Sequence, residues 1–172
     1  MMLVGETPRL AIRPLVHNDA KAMEGIFCDP EVMRYSDNGV QAPEFASIWI
    51  AKMLCCYPTW GFGMWAVVEK GTPEVIGYAG LSRYSGRCEP NEAELGFRLA
   101  RVHWGRGYAT EAARAVCDHG LRGLLLPRIV AIVDPENLAS LRVVEKVGMT
   151  FEREVTFQGY THPDHLYAIA NE

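Results

Sequence analysis
Apolar and polar residues alternate most clearly between Glu92 and Leu99. There Ala93, Leu95, Phe97 and Leu99 interleave with Glu92, Glu94, Gly96 and Arg98, the period-two pattern of a strand with one wet face. Gly96 inside that pattern predicts a bulge or the close approach of a ligand. A partial alternation over Leu10–Pro14 predicts an earlier strand. Met64–Glu69 and Glu74–Ser82, joined by Lys70-Gly71-Thr72-Pro73, read as a hairpin. Arg128–Val133, Thr150–Thr156 and His165–Ala170 complete the strands. Three-to-four spacing marks the helices. Asn18 is placed to cap a helix through Phe27 whose inner face is Met23, Ile26 and Phe27. Pro43 suits the first turn of a second helix, with Phe45, Ile48, Trp49 and Met53 on one side. Ala112, Ala113, Val116 and Cys117 form the inner face of a third, from about Thr110 to Leu121. A fourth runs from Asn137 to Val147 and stops at Gly148. The stretches Tyr57–Gly63 and Tyr84–Pro90 read as loops.

The order β-α-α-β-β-β-α-β-α-β-β predicts an α/β fold of the mixed α+β kind, a central mixed sheet flanked by helices on both faces, and not a doubly wound one. The 172 residues show no repeat or linker and read as a single domain, 1–172. Composition narrows the partners. A net charge of -4 with no Lys/Arg cluster argues against nucleic acid, and the small acidic excess suits a cationic acceptor. No apolar run approaches the roughly 20 residues of a membrane span, and Met1–Arg9 lacks the features of a secretory leader. Cys28, Cys55, Cys56, Cys88 and Cys117 are odd in number and form no CxxC pair. They predict reduced thiols in a cytoplasmic protein, without a zinc or redox motif.

Candidate chemistry concentrates in Arg101-Val102-His103-Trp104-Gly105-Arg106-Gly107-Tyr108-Ala109-Thr110-Glu111-Ala112, between a strand and a helix. A Gly-x-Gly turn entering a helix exposes several backbone N–H groups beside the positive end of the helix dipole, which suits a phosphate or pyrophosphate. Walker A is absent, and Thr110 stands where a dinucleotide fingerprint needs its third glycine. A bare Gly-x-Gly can equally be a tight turn.

Longer stretches carry more. Trp104–Ala112, WGRGYATEA, resembles the coenzyme A pyrophosphate loop of the GNAT superfamily of N-acetyltransferases. Asp134–Met149 is similar to that family's strand–Asn–helix–Lys-x-Gly-aromatic segment, with Met149 in place of the aromatic. Glu94-Leu95-Gly96-Phe97-Arg98-Leu99 is similar to its fourth strand, and the opening TPRLAIRPL and the Gly77-containing strand fit as well. Within the superfamily the chain looks most like the branch of ribosomal-protein-alanine N-acetyltransferases. One departure is Val102 where the loop often begins with Gln or Arg, with Arg101 one residue earlier.

The resemblance implies a GNAT-like acyl-CoA N-acyltransferase fold and direct attack of an amine on bound acetyl-CoA, with no acyl-enzyme and no metal. It implies pyrophosphate contacts from Val102, Trp104, Gly105, Arg106, Gly107, Tyr108, Ala109 and Thr110. Pantetheine would pair with Phe97, Arg98 and Leu99, and a backbone N–H near Leu99 would polarise the thioester. Asn137 would bond the pantetheine amide or simply cap its helix. Arg142 would face the adenine or 3′-phosphate end, or solvent. Relatives often place a tyrosine in this helix, but none occurs between Asn137 and Gly148, so Ser140 is the candidate acid. Glu94, or Glu92 on the same strand face, is the candidate base, acting directly or through water. Tyr35, Trp60 and Phe62 are candidates for the acceptor pocket. A protein N-terminus, a polyamine, an aminoglycoside-like molecule or an amino acid would all serve as acceptor, and a monomer or a homodimer would both fit. A non-catalytic acyl-CoA-binding module is the alternative.

Two further features carry no chemical assignment. His162-Pro163-Asp164-His165 reads as a turn that borders the acceptor site at most, since no third metal ligand is evident. Cys55-Cys56 reads as helix packing.

Overall fold
The computed structural model describes residues 4–83, 89, 91–157 and 162–171. Tyr84, Cys88 and most of the expected Tyr84–Pro90 loop lie outside them. The strands are β1 (Gly5–Glu6), β2 (Leu10–Pro14), β3 (Met64–Glu69), β4 (Val75–Ser82), β5 (Glu92–Leu99), β6 (Arg128–Val133), β7 (Thr150–Val155) and β8 (Asp164–Ala170). The α-helices are α1 (Ala20–Phe27), α2 (Phe45–Trp60), α3 (Tyr108–Asp118) and α4 (Leu138–Val147). One sheet has the order β1-β2-β3-β4-β5-β6-β8-β7. Every neighbouring pair is antiparallel except β5 and β6, which run parallel. The mixed sheet expected from the order of elements is thus present, with the short β1 added at its edge.

Helices cover both faces. Met23, Ile26 and Phe27 of α1 pack with Ile50, Met53 and Cys56 of α2 against Ala66 and Tyr78. On the opposite face, Ala112, Ala113, Val116 and Cys117 of α3 and Val144 of α4 pack against Trp65, Val67, Leu81, Leu95 and Ile129. Strand alternation sends neighbouring residues such as Trp65 and Ala66 into different cores. Burial pushes the Cys117 thiol up to about 12, so it stays protonated. Cys28, Cys55, Cys56 and Cys117 are all free thiols, Cys55 on the exposed side of α2. Among the described residues, no helix is long and apolar enough to cross a membrane.

Several local expectations need correction. α1 begins after a 3₁₀ turn over His17–Asp19, and the Asp19 carboxylate accepts the Val16 N–H at 2.9 Å, so Asp19 and not Asn18 organises that start. Pro43 precedes α2 instead of lying within it. Ile48 faces solvent at 67 % exposure, because the inward stripe runs through Ala46, Ile50, Met53 and Cys56. Tyr57–Trp60 belong to α2, not to a loop. Pro58 lies inside the last turn of the helix, which runs on past it until Gly61 stops it at φ 78°. α3 starts at Tyr108, before Thr110, and its last turn widens into a π turn over His119–Gly123. No bulge occurs at Gly96, which pairs in unbroken register with Gly80. A Cβ there would meet the Met64 Cε at 2.6 Å, so the close approach comes from a side chain of this protein.

Candidate active site
The single parallel adjacency in the sheet opens a gap. β5 and β6 pair only from Glu92–Arg128 to Glu94–Val130, although β5 continues to Leu99 and β6 to Val133. Beyond Glu94 the two strands part. The Ala100 N–H bonds to the Ile76 carbonyl at 2.9 Å, on the β4 side. Main-chain groups alternate along a strand, so those of Phe97 and Leu99 turn toward the gap. A cavity of about 800 Å³ occupies this gap. Its walls include Gly96, Phe97, Arg98 and Leu99, the glycine turn, and Asn137, Ser140 and Arg142.

The glycine turn is held from outside. Gly105 and Gly107 have φ of 73° and 80°, the left-handed region that favours glycine. The Trp104 indole N–H donates to the Leu99 carbonyl at 2.8 Å, tying the turn to β5. Arg9 donates to the Arg106 carbonyl at 2.8 Å and lies over the Tyr108 ring, 4.5 Å from its centroid. The Tyr108 hydroxyl donates to Glu69. The first intrahelical bond of α3 runs from the Glu111 N–H to the Gly107 carbonyl, 3.1 Å. The N–H groups of Tyr108, Ala109 and Thr110 thus precede it, and no side chain caps them. All three residues line the cavity, an arrangement chemically suited to an anion.

Glu111 locks the same corner. Burial alone would raise its carboxyl. Bonds from the Thr7 hydroxyl and from the backbone and guanidinium of Arg9 outweigh that and hold its pKa below the ordinary 4.5. A carboxyl lowered by folding contributes full stability above its unfolded value and loses it as pH falls through the folded one. The melting temperature of the wild type is therefore expected to fall more steeply than that of Glu111→Gln on acidification below 4.5, the two curves converging. Calorimetry in steps of pH checks this; parallel curves would dissociate Glu111 from the acid response.

The other expected site residues divide. Glu94, Ser140 and Tyr35 line the cavity. Asn137 caps α4, its Oδ1 accepting the Ser140 N–H at 3.1 Å, so a ligand would meet its amide nitrogen. Glu92 is turned aside: its Oε1 lies 2.7 Å from the Arg128 Nε, an ionic contact without hydrogen-bond alignment. Phe62 is core, 2 % exposed, and Trp60 packs beside it, both away from the cavity wall. Val102 and Arg106 point outward, and only the main chain of Arg106 has a visible task. Sequence reasoning missed Arg9, which lies far from the loop along the chain. It also missed His103, buried with its Nε2 3.3 Å from Glu74. A third ligand-type side chain beside His162 is now evident: ligand atoms of Asp134, His162 and Asp164 lie within 4.8 Å of one another, all on the cavity wall. His165 instead packs edge-on against Phe151.

Comparisons with known proteins agree with this architecture. Residues 9–150 match the family described as the acetyltransferase (GNAT) domain. The chain is 33% identical over 162 residues to the uncharacterized protein YkkB of Bacillus subtilis, covering 94% of this chain and 92% of that one. It is 30% identical to the uncharacterized N-acetyltransferase YoaA of the same organism, covering 98% and 97%. A GNAT-family acetyltransferase from Bacillus anthracis superposes with a TM-score of 0.84 at 29% identity, over 98% of each chain.

Proposed function
This chain belongs to the GNAT acetyltransferases, and we propose that it moves an acetyl group from acetyl-CoA to a primary amine by direct attack in a ternary complex. One observation carries the reading: the gap between β5 and β6 opens beside an uncapped helix start, so a phosphate site and a strand edge meet in one cavity. The N–H groups of Tyr108, Ala109 and Thr110 suit the pyrophosphate, and the left-handed Gly105 and Gly107 let it approach the main chain. The gap-facing groups of Phe97 and Leu99 suit an extended amide-bearing arm laid along β5. A gap-facing backbone N–H near Leu99 serves as the donor to the thioester oxygen, a contribution of about 3 kcal/mol in the transition state. Ser140 at the start of α4 relays a proton to the departing sulfur, Asn137 bonds the arm, and Arg142 lies toward the nucleotide. Glu94, reached through water, supplies a carboxylate that attracts the acceptor ammonium. The free thiols fit a reducing, cytoplasmic setting.

Free-thiol release from acetyl-CoA, measured over amines and short peptides, tests this. Ser140→Ala is expected to lower turnover by about 10²-fold or more while acetyl-CoA affinity holds. Binding of acetyl-CoA without thiol release on any amine would leave only a non-catalytic acyl-CoA-binding module.

A further inference from the structure
His162 has no part in the chemistry so far, yet it lines the cavity, with its Nε2 3.2 Å from the Asp134 Oδ2. Asp134 is held in turn: its Oδ1 accepts the Glu136 N–H at 2.7 Å and its carbonyl accepts the Asn137 N–H at 2.9 Å. Tyr35 donates to the Glu136 carbonyl at 3.2 Å, which brings the 31–37 segment against the same turn.

Register locates this pair relative to the acyl donor. Glu94 stands beside Val130 in the parallel pairing. Counted along each strand from that last pair, Arg98 and Asp134 are each four residues on, on opposite sides of the gap that opens there. Glu94 lies four residues back, about 13 Å along the strand. A thioester held by the gap-facing main chain of the Phe97–Leu99 stretch therefore lies beside Val133, Asp134 and His162, while Glu94 sits deeper in the cavity. The other charged groups on the cavity walls are Asp164 of β8, Arg98 of β5, Arg142 and Lys146 of α4, and Glu31, Arg34 and Asp37.

We propose that His162, oriented by Asp134, is the general base that deprotonates the acceptor amine. This rests on the acetyltransferase reading of the cavity. With its hydrogen on Nε2 and shared with Asp134, the ring presents Nδ1 as the basic nitrogen, and the carboxylate stabilises the imidazolium that forms. Histidine is the side chain most often found in this role. An ammonium N–H bond breaks, its proton passes to Nδ1, and the freed lone pair forms the C–N bond to the thioester carbon. The C–S bond then breaks with its electron pair on sulfur. Sulfur takes the second nitrogen proton through Ser140 and leaves as the thiol. His162, 44 % exposed, returns its proton to water.

The full chain is assayed for thiol release with acetyl-CoA and two probe acceptors, spermidine and a short peptide with a free N-terminus. His162→Asn and His162→Ala are expected to lower kcat by about 10²-fold or more, with the KM for acetyl-CoA unchanged. Added imidazole restores His162→Ala in proportion to its concentration and leaves Ser140→Ala unaffected, a result that a merely structural histidine would not give. Asp134→Asn lowers kcat less. Wild-type turnover in His162→Asn, or a loss in His162→Ala that imidazole does not rescue, overturns the assignment while the acetyltransferase reading stands. Activity lost to a chelator and restored by zinc also overturns it and makes the three side chains ligands. A wild type that binds acetyl-CoA but acetylates neither probe removes both the reading and this inference.

Discussion

Acetyl-CoA at a hundredfold excess over its dissociation constant is expected to raise the melting temperature by roughly 5–10 °C. Gly105→Asp is expected to remove that rise, and Gly105→Asn to keep most of it. Gly105 has a φ of 73°, and a Cβ added there meets nothing within 4 Å. Asn and Asp tolerate that backbone region better than other side chains. Both variants should therefore fold, and they differ mainly by one negative charge. That charge would face the N–H groups proposed for the pyrophosphate and compete with it for the same helix dipole. Thermal melts of the three proteins with and without acetyl-CoA give the answer. An equal rise in all three would show that the nucleotide binds elsewhere.

The largest expected loss of stability comes from two other glycines. A Cβ at Gly80 would lie 2.2 Å from the Gly63 carbonyl oxygen and 2.5 Å from the Met64 Cα. At Gly77 it would lie 2.3 Å from the Arg98 carbonyl oxygen and 2.8 Å from the Leu99 Cα. These neighbours are main chain in the middle of the sheet and cannot swing aside, so each Gly→Ala change is expected to cost about 3–5 kcal/mol. Gly25, in α1, has open space where its Cβ would be. Gly25→Ala should stabilise by about 0.5–1 kcal/mol through helix propensity alone. Urea unfolding of the three variants checks the contrast. A Gly80→Ala midpoint at the wild-type value would mean that β3 and β4 can move apart. Gly77→Ala should also weaken acetyl-CoA binding, because it displaces the Arg98–Leu99 segment that borders the gap.

The strands and the inner faces of α1 and α3 could be read from sequence because burial on one side leaves a periodic trace, as in Ala93–Leu99 and Ala112–Cys117. Periodicity failed in α2, where nearly every position is apolar or small, so Ile48 and Ile50 carried the same signal and only packing separates them. Pro58 misplaced the end of that helix because proline marks a boundary only by tendency. The glycine turn was legible because left-handed residues leave glycine in the sequence. Arg9, His103 and the Asp134–His162 pair were not, since each acts through a partner distant in the chain or through the pairing of strands. Phe62 and Trp60 were misjudged because a flanking glycine says nothing about which side of the sheet a ring will occupy.

Because β5 and β6 point the same way, α3 and α4 both set out from one rim of the sheet, with the Gly107 and Asn137 starts facing a common opening. An antiparallel neighbour would have put those starts at opposite rims. The proposed donor side thus rests on chain direction and main-chain atoms, which substitutions outside its few glycines leave in place. The proposed acceptor side is furnished by cavity-lining side chains such as Tyr35, His162 and Asp164 on separate segments. Evolution can then exchange the recipient of the acetyl group piece by piece while the delivery apparatus is inherited intact.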